Sequence, residues 1–83
     1  VLYHYGDMKV EETSSNMISP EKGTVVFECS GSKATSFAVT IERRGDNYIN
    51  TARTLLAQKV DDPEEFDEFL REKAQNILEK KYG

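Results

Sequence analysis

Asp62-Pro63-Glu64-Glu65 dictates where a helix begins, and the helix that follows narrows what the rest of the chain can be. Asp62 can accept hydrogen bonds from the free amides of a first turn, Pro63 stands where a missing N–H costs nothing, and Glu65 completes an Asp-x-x-Glu variant of the capping box. Behind this start, Phe66, Phe69, Leu70, Ala74, Ile77, Leu78 and Tyr82 recur at intervals of three and four and draw one apolar stripe. Asp67 and Arg71, four apart, form an ion pair on the opposite side. Acidic residues crowd the first turns and Lys80 and Lys81 the last, which complements the helix dipole, and Gly83 is placed to stop the helix. A helix over about 63–82 with a single apolar stripe needs another layer to cover it.

That layer must come from the remainder of an 83-residue chain, short enough that residues 1–83 are expected to form one domain around one core. Alternation of apolar and polar residues predicts strands over about 1–12, 24–30 and 35–43, with Gly6-Asp7 bending the first. The polar stretch from Glu12 to Gly23 reads as a long connection that ends in a Ser19-Pro20-Glu21-Lys22-Gly23 turn, because proline presets φ for its second position. An odd-length loop around Gly31-Ser32-Lys33-Ala34 places Phe27 opposite Phe37 and Val25 opposite Val39. It gathers Val25, Phe27, Cys29, Phe37, Val39 and Ile41 on one face, where a two-residue turn would scatter them. Tyr48, Ile49, Ala52, Leu55, Leu56 and Val60 have helical spacing, which predicts a helix over about 47–59 capped by Asp46 or Asn47. The expected fold is α+β: a three-stranded antiparallel β-meander followed by two α-helices packed on one face. The alternative is four strands plus one C-terminal helix.

The residues that carry most enzyme chemistry are sparse. Cys29 and His4 are the only cysteine and histidine, too few for a zinc site within one chain, and nothing calls for a cofactor. Cys29 falls on the expected buried face and reads as a core thiol rather than a nucleophile. A lone cysteine, no apolar run near the roughly 20 residues that span a bilayer, and no basic-then-apolar leader in Val1–Tyr5 lead to an expected cytoplasmic location.

A net charge of -4 and a pI near 4.9 weigh against a general binder of phosphate backbones. The densest charge feature is Asp61, Asp62, Glu64, Glu65, Asp67 and Glu68. Beyond capping a helix, such a run can steer a partner of opposite charge. The expected function is therefore a non-enzymatic protein-interaction module, an adaptor or inhibitor. It would meet a basic surface of another protein through Asp61, Glu64, Glu65, Asp67 and Glu68, together with an exposed strand bearing Tyr3 and Tyr5. A homodimer through Leu2, Met8 or the Tyr3/Tyr5 edge is a further expectation. The alternative is a nucleic-acid contact through Arg43, Arg44 and Arg53, joined by Lys33 and Lys59, with tyrosines for stacking. Arg44-Gly45-Asp46 reads as a strand-to-helix turn, supplying a glycine and a cap, rather than a recognition tripeptide.

Overall fold

A computed structural model describes residues 2–31 and 34–82, so Gly83 as helix terminator and Ser32-Lys33 in the expected loop lie outside the described residues. The chain runs through β1 (Leu2–Tyr5), β2 (Met8–Ser19), β3 (Lys22–Gly31), β4 (Ala34–Arg44), β5 (Asn47–Asn50), α1 (Arg53–Lys59) and α2 (Pro63–Tyr82). Five antiparallel strands in simple sequence order form one sheet, curled into a half-barrel, and α2 lies along its concave side. This corrects the three-stranded meander, and the alternative of four strands with one helix fails as well.

Two Gly-Asp pairs account for both extra strands. Gly6 and Gly45 each have φ of 62°, while no other described residue takes a positive φ. A glycine with positive φ ahead of an aspartate with negative φ is the pattern of a type II′ turn, whose twist matches that of the strands it joins. Tyr5 therefore pairs with Met8, and Arg44 with Asn47. Gly6-Asp7 divides the expected first strand into β1 and β2, while Gly45-Asp46 folds the start of the expected helix back onto β4. Within 47–59, Tyr48 turns inward and Ile49 outward as a strand requires, and only the spacing from Ala52 onward is helical. Asn50 makes the switch: its side chain is buried and its Oδ1 accepts the Ala52 amide at 2.7 Å, ahead of α1.

Of the expected connection from Glu12 to Gly23, the part up to Ser19 is instead the second half of β2, Lys22-Gly23 open β3, and only Pro20-Glu21 join the two. The polar residues of this half of β2 have weak strand preference, but β3 offers a full ladder, and pairing supplies what propensity lacks. The cost shows as two bulges in which Thr13 and Ile18 are the extra residues of β2. Thr13 Oγ1 donates to the Val26 carbonyl at 3.2 Å, and Ile18 is squeezed out to 73% exposure. Bulges bend a strand and raise its twist, which is how this sheet curls.

Between β3 and β4 the expected apolar face is correct and the register is not. Val25, Phe27, Cys29, Phe37, Val39 and Ile41 are all buried, but Phe27 faces Val39, Val25 faces Ile41 and Cys29 faces Phe37. From the Cys29–Phe37 pair to the Gly31–Ala34 pair, β3 advances two residues and β4 three. That bulge moves the pairing by one place from the Gly31–Ala34 pair, so the register lies two places from the expected one and every side chain keeps its face.

Phe66, Leu70, Ala74 and Leu78 are fully buried against this concave face, with Val10 and Leu56 completing the core. A repeat of four advances about 40° beyond a full helical turn at each step, so the stripe winds round α2 and follows the curl of the sheet. Substituting Gly45→Ala should lower stability by about 1 kcal/mol or more in urea unfolding, because an L-residue is strained at this φ. Burial, and after it the Glu28 charge, pushes the Cys29 thiol up to about 12. The folded state then keeps a proton that the unfolded chain releases near pH 9, so stability should fall as pH rises from 9 toward 12. Cys29→Ala should flatten the early part of that fall in unfolding curves recorded between pH 8 and 10.

Candidate functional site

The acidic start of α2 is built on its cap. The Asp62 carboxylate accepts the Glu65 amide at 3.1 Å, and the Asp62 carbonyl accepts the Phe66 amide at 3.1 Å, which anchors the first turn beside a fully buried phenylalanine. Asp61, Asp62, Glu64, Glu65 and Glu68 are exposed around this end. Asp62 serves the helix, and Glu65 serves the fold as well: burial pushes the Tyr5 phenol above its ordinary value, followed by the charges of Glu65 and Asp62 and a hydrogen bond to Glu65.

Tyr3 and Tyr5 are not an exposed strand face. They point to the concave side, where the Tyr5 ring lies 5.0 Å from Phe66 and 5.2 Å from Phe69, and Tyr3 lies under the Lys73 ammonium at 5.6 Å. Aromatic side chains this large gain more from the uncovered flank of α2 than from water. Met8 is buried too, which leaves Leu2, 50% exposed, as the only outward apolar group among the residues expected to form a homodimer edge.

Asp67 departs furthest from expectation. Its pair with Arg71 forms, at 3.0 Å, but on a side of α2 closed over by neighbouring structure, and Asp67 is only 9% exposed. The second oxygen, Oδ1, has no hydrogen-bond partner among the described residues, and neither do Asn50 Nδ2 and the Tyr48 hydroxyl. A cleft of about 600 Å³ runs between the two helices here, with Arg53, Leu56 and Ala57 on one wall and Glu64, Asp67, Glu68 and Arg71 on the other. No pattern signalled it, because α1 reaches α2 only through the turn of the chain at Asn50.

The basic residues do not gather. Arg43 donates to the Gly45 carbonyl at 2.9 Å and lies 5.9 Å from the centre of the Tyr48 ring, while Arg44 is paired with Glu42 at 2.6 Å. Arg43 and Arg44 stand beside Tyr48 and Asn47, whereas Arg53 follows the other end of β5. Lys33 lies outside the described residues. Arg44-Gly45-Asp46 is a turn, but it joins β4 to β5 rather than leading into a helix that Asp46 or Asn47 caps, because β5 pairs back onto β4 and α1 begins only at Arg53.

His4 and Cys29 lie on opposite faces of the sheet: His4 is exposed on β1, and Cys29 is fully buried on β3. They cannot form a nucleophile–base pair in this arrangement. Among the described residues no three His, Cys, Asp or Glu side chains converge as metal ligands do, and no helix is long and apolar enough to cross a membrane. No family model, curated protein or solved structure matches the chain.

The exposed carboxylates separate into capping and free groups by their stability effects. Asp62→Ala should cost about 1 kcal/mol by thermal or urea unfolding. Glu64→Gln and Glu68→Gln should each stay within about 0.5 kcal/mol of the parent chain.

Proposed function

We propose that the protein is a small non-enzymatic interaction module that binds a basic surface of another protein through the start of α2. The observation that supports this most is the state of Asp61, Glu64 and Glu68: exposed carboxylates on a helix end held rigid by the Asp62 cap and the burial of Phe66 and Leu70. Carboxylates exposed to solvent, and with no ion-pair partner among the described residues, raise encounter rates with cationic surfaces and disfavour acidic ones. Rigid presentation limits the entropy lost on binding. The half-buried Tyr3 and Tyr5 and the buried Asp67 then belong to the support of that surface rather than to the contact. A buried, unpaired thiol in an acidic chain suits action in the cytoplasm.

Affinity capture from a lysate of the source organism, followed by mass spectrometry, tests the reading with Asp61→Asn/Glu64→Gln/Glu68→Gln as the comparison. This variant spares the Asp62 cap and the Glu65 contact to Tyr5. A basic protein retained by the parent chain, and lost by the folded variant or by raising salt from 0.05 to 0.5 M, is the expected result. Equal capture of the same partner by both forms would remove the acidic end from recognition.

A further inference from the structure

The far end of the same helix has the opposite character. β1 pairs with Met8–Glu11 of β2, so among the described residues the edge of β2 beyond Glu11 has no strand beside it. The bulges at Thr13 and Ile18 bound a regular segment, Ser14–Met17, within that edge. Side-chain groups from α2 touch it there: Lys81 Nζ donates to Ser15 Oγ at 2.9 Å, and the Tyr82 hydroxyl donates to the Ser15 carbonyl at 3.5 Å. The second bond shows that the Ser15 carbonyl points out of the sheet toward α2. In an antiparallel strand the N–H of the same residue points the same way, and the alternation repeats at Met17. Two residues thus offer backbone donors and acceptors to whatever lies alongside, opposed only by a bond at the limit of hydrogen-bond length.

Next to the Glu12 end of this segment, a groove of about 580 Å³ lies between the sheet and α2, lined by Tyr3, Glu12, Asn76, Ile77, Lys80 and Lys81. Lys73 extends the positive wall, held over the Tyr3 and Phe69 rings at 5.6 and 5.3 Å. Three lysines against one glutamate make this the reverse of a chain whose net charge is -4. A strand edge beside a helix is a recurrent peptide-binding arrangement, in which main-chain bonds supply affinity and alternate side chains supply selectivity. From the open edge and the charge of its flank, we infer that an extended acidic segment of another protein adds to β2 along Ser14–Met17, its carboxylates meeting Lys80 and Lys81 and its apolar side chains meeting Ile77 and Tyr3. The incoming strand replaces the Lys81 and Tyr82 contacts to Ser15. With the acidic end of α2 it equips one helix to bridge two proteins of opposite charge, and neither surface depends on the other.

The test uses the whole chain, labelled with ¹⁵N, and an acetylated, amidated hexapeptide that alternates glutamate and valine. Saturable amide shifts confined to Ser14–Met17 and Ile77–Lys81 are expected, with the lysine–valine counterpart binding at least tenfold more weakly. Lys80→Glu/Lys81→Glu, at two exposed positions outside the core, should reverse that preference. Methylating the peptide nitrogens on one set of alternate residues should abolish binding, and methylating the other set should spare it, which is the mark of strand addition. The inference is overturned if the two peptides bind alike, if both methylated forms bind like the parent, or if no site saturates. It is equally overturned if light scattering shows a dimer whose Ser15 and Met17 amides are already protected from exchange, since a second copy would then be the occupant.

Discussion

Phe66, Leu70, Ala74 and Leu78 bury one winding stripe of α2 in the concavity of the sheet, and the remainder of the molecule is arranged to make that contact. A flat sheet would touch a 20-residue helix over only part of its length. The three bulges, at Thr13, at Ile18 and at the start of β4, curl the strands so that β2, β3, β4 and β5 all reach α2. Because burial of apolar area is the main favourable term in a domain this small, the bulges are better understood as part of the core than as defects of the ladder.

The same contact determines which polar residues are free. Docking the helix draws Tyr3 and Tyr5 onto Phe66, Phe69 and Lys73 and brings Asp67 under cover beside α1, while Asp61, Glu64 and Glu68 stay in water. It carries Lys80 and Lys81 to the open edge of β2. A charge gradient that first serves the helix dipole thereby becomes two surfaces of opposite sign on a single rigid element. Buried polar atoms on Tyr48, Asn50 and Asp67, with no hydrogen-bond partner among the described residues, lie along β5 and the face of α2 nearest α1.

Local chemistry was legible where one residue type has one use. The Asp62 cap, the α2 stripe, the Asp67–Arg71 pair, the turn at Arg44-Gly45-Asp46 and the burial of Cys29 all follow from neighbours within four residues or from strict alternation. Reading failed where the partner was distant. Glu12–Ser19 has a loop's composition and is a strand because β3 lies beside it, and Tyr48-Ile49 has a helix's spacing and is a strand because Gly45 turns it back onto β4. At the candidate site, the carboxylates were visible as a run, but not which of them remain exposed.

By itself, then, the amino-acid order determined a capped amphipathic helix, the face that each core residue of β3 and β4 occupies, and a pair of glycine turns, since these depend on backbone sterics and on periods of 2 and 3.6 residues. Tertiary structure alone decided the pairing of Ser14–Ser19 with β3, the register, the burial of Asp67 and the meeting of a lysine-bearing helix end with an open strand edge. Each of those joins residues far apart in the chain, and their energies come from ladders and buried area that no local pattern encodes.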